Sequence, residues 1–164
     1  GGCSCAKADC AGPGKHPRGP GSRSASTDPA VIREWWKRWP DANVAIVCES
    51  LLGIDVDGFI GEISLEDIEE QHGGLPPTLT ATSGGGGRHL IYRAPAGERV
   101  KNRVAVAPKL DTRSDGGYLV AAPSLHVSGG RYAWVDPTVE PAVLDGHPVL
   151  DVLRAPSAPR ARHR

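Results

Sequence analysis

The chain has 164 residues, the size of a single domain built on one core. Glycine (21) and proline (15) exceed a fifth of the sequence while apolar types reach 39%, which excludes a disordered chain and a plain helix bundle and leaves short strands and turns. Nineteen basic residues against nineteen acidic ones exclude a chain-wide basic footprint, so any nucleic-acid surface is local.

No apolar run approaches the roughly 18 residues of a membrane span, and no secretory leader pattern opens the chain. No membrane association is expected. Methionine is absent, even at position 1, so the sequence reads as a processed or trimmed piece, N-terminally truncated. Residues 1–26 are rich in Gly, Pro, Ser and Lys without apolar period and read as a loop or small metal-tied appendage. Within them Cys3, Cys5, Cys10 and His16 supply four ligands in 14 residues, enough for a closed tetrahedral Zn²⁺ site, although Cys-x-Cys is tighter than the usual spacing. A reduced loop is the other reading. Three crowded cysteines with Cys48 apart, in an apolar run, suit a cytoplasmic protein with one buried packing thiol rather than a disulfide framework.

Residues 27–153 carry the domain. Asp28 can cap a helix that begins at Pro29, places Ile32, Trp35, Trp36 and Trp39 on one stripe, and stops before Pro40. Residues 43–48 and 51–57 read as two neighbouring strands, and Ser64 as the cap of a helix to about His72, stopped by Gly73. Short strands follow at 78–82, 89–93, 109–113, 118–122 and 131–135, then a short helix at 148–153. The expectation is an α+β domain with a mixed or antiparallel sheet flanked by helices. Residues 154–164 read as a basic, disordered tail.

Three stretches can carry chemistry. In Ile54-Asp55-Val56-Asp57-Gly58 the two acids alternate on a strand and leave from one face, where they repel unless a cation intervenes. Hard oxygen ligands suit Mg²⁺ or Mn²⁺, while an acidic strand end in solvent is the plainer reading. Ser83-Gly84-Gly85-Gly86-Gly87-Arg88-His89 offers backbone N–H groups, a hydroxyl and two basic side chains, a set suited to phosphate as well as to a flexible hairpin. Leu110-Asp111-Thr112-Arg113 puts a third acid and an arginine on one strand face. Asp115 and His126, further along, are by themselves ordinary loop residues.

Taken in order, Gly14-Lys15-His16-Pro17, Thr27-Asp28-Pro29 with Ile32 and Trp35-Trp36, Asn43 to Ile46, Ile54 to Gly58, Thr82 to His89, and Asp111 to His126 resemble the catalytic domain of bifunctional primase-polymerases. These form the prim-pol branch of the archaeo-eukaryotic primase superfamily, carried by many phages and plasmids, and the resemblance runs from about Gly14 to Trp134. It implies that Asp55, Asp57 and Asp111 hold catalytic Mg²⁺ or Mn²⁺. It also implies that His89 contacts the incoming nucleotide, with Ser83, Gly85, Gly86, Arg88 and Arg113 as further nucleotide-binding candidates. The implied activity is template-dependent nucleotidyl transfer from dNTP or NTP to a 3′-hydroxyl, with template DNA, and a replicative helicase as a candidate partner. Two other functions stay open: a catalytically silent nucleic-acid-binding module of a replication protein, and a metal-dependent phosphohydrolase using the same acids.

Overall fold

The computed structural model describes residues 3–19, 21–97 and 100–154. The expected tail therefore lies outside the described residues, apart from Arg154. In chain order, helix α1 spans Pro29–Arg38, strands β1 and β2 Ala45–Val47 and Leu51–Val56, and helix α2 Gly58–His72. Strands β3 to β8 follow at Leu79–Thr82, Arg88–Arg93, Arg103–Ala107, Leu110–Arg113, Tyr118–Val120 and Ala133–Trp134, and helix α3 at Val149–Arg154 closes the series. Six strands form one antiparallel sheet in the order β5-β6-β2-β4-β3-β8, and β1 pairs with β7 in a separate two-stranded sheet. The fold is α+β, as expected.

Side-chain alternation divides the large sheet into two unlike faces. Leu52, Ile54 and Val56 of β2, Leu90 and Tyr92 of β4 and Leu110 of β6 point one way, into a core closed by Leu65 and Ile68 of α2 and by Val149, Leu150 and Leu153 of α3. On the opposite face Ile91 joins Cys48 and Leu119 in a second, smaller core, with Ile46, Leu51, Leu79 and Trp134 packed around it. Gly53 makes this closeness possible, because a Cβ there would overlap the Leu119 side chain. The small sheet thus covers part of that face, around Gly53 and Ile91.

Four expectations are corrected. β1 and β2 are consecutive but not paired: Cys48 donates its N–H to the Gly117 carbonyl, and β1 turns away to β7. α2 starts at Gly58 rather than at Ser64, because Gly61 lets the first turns lie against Val56 and the Lys109 carbonyl. Ser64 is no cap; it is buried and donates its hydroxyl to the Pro108 carbonyl at 2.7 Å. Strand β5 has no counterpart among the expected strands; its pairing with β6 is irregular between Arg103 and Ala107, and Ala105 takes φ 55°. The first helix is as expected, with the Asp28 carboxylate accepting the Ala30 N–H at 2.8 Å. None of its residues is fully buried, so its tryptophan stripe lies at the margin of the core.

Candidate active site

The rest of the second face holds a row of functional side chains set by strand register. Asp55 of β2 is the Cα partner of His89 on β4 and of Asp111 on β6. Directly opposed residues share a face, with Cβ atoms about 4.5–5.5 Å apart, so His89, Asp55 and Asp111 stand side by side across three strands. Arg113, two residues beyond Asp111, stands on the same face. His89 Nε2 lies 3.3 Å from Asp55 Oδ1, and the Arg113 guanidinium 3.0 Å from Asp111 Oδ2. Asp55 and Asp111 do not stand as a bare repelling pair; each has a basic partner.

These contacts decide the protonation of Asp55. Burial raises its pKa, but the hydrogen bond and charge of His89, together with the charges of Arg113 and Lys15, outweigh that and hold it below the usual carboxylate range. Tyr132 covers the row from the β8 side: it is buried, its ring centroid lies 5.6 Å from that of His89 and 6.0 Å from that of His126. Burial, then the carboxylates of Asp55 and Asp57, raise the Tyr132 pKa. Beside the row opens a cavity of about 400 Å³ lined by Lys15, Asp55, His89, Asn102, Arg113 and Tyr132, among others. Lys15, His89 and Arg113 give this lining donors that suit an anionic ligand, with Asp55 beside them.

Asp57 sits just past the end of β2, exposed, at the N-cap position of α2, where its side chain makes no capping bond. Asp111 is more engaged, since Oδ1 accepts the Ala105 N–H of the irregular β5 at 2.7 Å while Oδ2 takes Arg113. Each of its oxygens keeps a further lone pair. The three carboxylates are of the donor type that suits a hard divalent cation, but among the described residues their oxygens are not gathered into one ligand group.

The glycine run joins β3 to β4 as a tight hairpin. Ser83 donates its N–H to the Gly87 carbonyl, and its hydroxyl accepts the Gly87 N–H at 3.0 Å. A Cβ on Gly84 would overlap Gly130, one on Gly85 would crowd the His126 ring, and one on Gly87 would overlap the Val56 carbonyl. Only Gly86, at φ 88°, has open space. The glycines at 84, 85 and 87 thus allow close approach of the protein to itself. Ser83, Gly85 and Gly86 lie at the hairpin tip and do not line the cavity. Arg88 does not share the face of His89: alternation turns it toward α2, where it forms a two-pronged pair with Glu62 at 2.8 and 2.7 Å.

A second constellation lies in the N-terminal segment. One ligand atom from each of Cys3, Cys5, Cys10 and His16 falls within 4.8 Å of all the others, the one such metal-ligand group among the described residues. His16 Nδ1 stands 3.2 Å from Cys3 Sγ and 3.4 Å from Cys10 Sγ. Zinc bonds of about 2.3 Å to sulfur and 2.0 Å to nitrogen at tetrahedral angles put such atoms about 3.5 Å apart, so the set fits that ion. The Cys5 N–H and further hydrogen bonds hold the Cys3 thiol down to about 5, while desolvation and the neighbouring sulfurs push Cys10 up to about 11. Cys48 is buried, and burial raises its thiol to about 11, in keeping with a packing role.

Lys15, Asn102 and Tyr132 line the cavity, and sequence reasoning did not place them at the site. Lys15 stood in the Gly-Lys-His-Pro block, which was the available signal; Tyr132 lay in the expected strand at 131–135, with nothing to bring it beside His89, 43 positions earlier. No helix among the described residues is long and apolar enough to cross a membrane. A family model for the N-terminal part of bifunctional DNA primase/polymerases matches residues 6–147. No curated protein matches the chain.

Proposed function

The chain belongs to the bifunctional DNA primase/polymerase family, and from that premise we propose that the cavity beside Asp55 receives the triphosphate of an incoming nucleotide for template-dependent transfer to a 3′-hydroxyl. The observation that carries this reading is the register row His89–Asp55–Asp111 with Lys15 and Arg113 at the cavity beside it. Family membership implies an enzyme of the nucleotidyltransferase type; the individual roles are our assignment.

Asp55 and Asp57 would hold a divalent Mg²⁺ or Mn²⁺, with Asp111 sharing the oxygen now turned to Arg113. A cation there supplies neutralising charge to the phosphates and lowers the pKa of the attacking hydroxyl. The protein's own groups do the remaining work. Arg113 offers a planar fork to phosphate oxygens, Lys15 a point charge, and His89 a ring donor whose bond strengthens as charge builds on the leaving phosphates. Tyr132 packs against His89 and keeps that ring against Asp55. The strands on which the row stands are buried on their other face, so these groups need little reorganisation when charge develops.

Residues 27–153 would form the catalytic domain, and residues 1–26 an appendage tied by zinc at the cysteine cluster. Ser83, Gly85 and Gly86 remain candidates for approach of the nucleotide or template from the hairpin tip, and a replicative helicase remains the candidate partner. The test is primer extension with labelled dNTP, a template and Mn²⁺. Templated extension supports the proposal; binding of DNA without extension supports a silent module, and release of phosphate without extension a phosphohydrolase, and either would overturn it.

A further inference from the structure

The N-terminal segment poses a physical problem. Among residues 3–19 none is buried and none belongs to a helix or strand, so packing cannot repay the entropy of ordering them. Yet this segment delivers Lys15 to the cavity. Besides the Arg18 guanidinium, which lies 6.0 Å from the Trp39 ring centroid, two kinds of contact hold it. On the side of the domain, the Tyr118 hydroxyl donates to the Lys15 carbonyl at 3.0 Å and Asn43 Nδ2 to the Gly14 carbonyl at 3.1 Å, while the same amide also accepts the Leu125 N–H. Within the segment, the Lys15 N–H closes a turn on Gly12, and the Ser4 hydroxyl donates to the His16 carbonyl at 2.9 Å. Exposed contacts of these kinds contribute about 0.5–1.5 kcal/mol each, too little to fix a 17-residue irregular segment. The one strong crosslink available is the four-ligand cluster, and its last ligand, His16, adjoins Lys15.

We propose that zinc held by Cys3, Cys5, Cys10 and His16 clamps the segment so that Lys15 is fixed in the cavity as a contact for nucleotide phosphate, making metal occupancy of the cluster set nucleotide affinity. The clamp rests on the nucleotide reading of the cavity. It adds a binding residue to that cavity and a reason for the metal: the cluster orders a charge. Oxidation of the cluster thiols to a disulfide, by a disulfide-bearing oxidant that takes up the two electrons, releases the ion and with it Lys15.

The test uses the full chain in four forms: wild type, Lys15→Ala, Cys5→Ser and the double variant. Zinc is measured with a chromogenic chelator after denaturation, affinity with a fluorescent dATP analogue in Mg²⁺, and segment order by the rate of trypsin cleavage after Arg18. We expect about one zinc per wild-type chain. Lys15→Ala should keep zinc and lose about tenfold or more in affinity. Cys5→Ser should lose zinc, be cut faster, and lose affinity to the same extent, and the double variant should bind no worse than either. Since no side chain of the segment is buried, core melting should be unchanged; Cys10→Ser replaces Cys5→Ser if that variant fails to fold. Zinc-free wild type, or loss of zinc with affinity retained, or additive losses in the double variant, would overturn the clamp while leaving the nucleotide reading standing. A zinc-loaded, folded wild type that binds no dATP analogue would overturn the nucleotide reading and the clamp together.

Discussion

Arg88 and Arg113 are both arginines of sheet strands near the row, and their opposite faces give them different consequences for nucleotide binding. Arg88→Ala removes a pair with Glu62 whose side chains are 38% and 34% exposed. Solvent screening keeps such pairs to about 0.2–1 kcal/mol, and the two-pronged geometry favours the upper end. A loss of about 1 kcal/mol lowers the melting temperature by about 2–4 °C in a chain of this size. Nucleotide affinity should not change, because Arg88 is on the helix face of β4. Arg113→Ala should weaken dNTP binding by about tenfold or more through loss of a charged phosphate contact, and should lower the melting temperature as well because it unpairs Asp111. Thermal melts and titration with a fluorescent dNTP on the same preparations separate the two. A tenfold loss of affinity in Arg88→Ala with an unchanged melting temperature would refute the assignment of faces on which the site rests.

Other consequences are equally open to measurement. Gly87→Ala, which drives a Cβ into the Val56 carbonyl, should cost about 1–3 kcal/mol, whereas Gly86→Ala, strained only by its φ of 88°, should cost about 1–2 kcal/mol; urea denaturation gives both, and a larger loss at Gly86 contradicts the hairpin packing. Asp57→Ala should leave stability within about 0.5 kcal/mol, while Asp111→Ala should lower it by about 1–3 kcal/mol because it frees the Ala105 N–H and Arg113; equal melting temperatures for the two would remove the structural role of Asp111. Because the folded-state pKa of Asp55 is depressed, its contribution to stability is present above the unfolded value of about 3.9 and is lost as pH falls through the lower folded value. The stability difference between wild type and Asp55→Asn should therefore be full at pH 6 and shrink below pH about 4; a difference that grows in acid contradicts the pairing with His89.

The parts of the site legible in the sequence are those that a strand period fixes. Asp55 alternates with the apolar Ile54 and Val56, and Asp111 with the buried Leu110 and Thr112, so each could be assigned a face before any pairing was known. The row itself follows from register, which the sequence did not state. The same alternation explains the change in the reading of Arg88: a motif treats it and His89 as one unit, but adjacent strand residues point to opposite faces. Strand β5 was hidden because its irregular pairing and the positive φ of Ala105 break the pattern that identifies strands. The start of α2 was hidden because Gly58 and Gly61 look like breakers, although Gly61 is there to meet the Lys109 carbonyl. Lys15 reaches the cavity from an irregular segment, where nothing in a period of 2 or 3.6 announces which way a side chain points, and Tyr132 from just before β8, which is shorter than the strand expected at 131–135.

The most direct measurement is extension of a labelled primer on a template by the purified chain in Mn²⁺, run beside Asp55→Asn with both proteins shown to be folded. We expect template-directed extension by the wild type and a loss of about a hundredfold or more in the variant. Extension at the wild-type rate by Asp55→Asn, or none by the folded wild type, would contradict a catalytic row centred on Asp55.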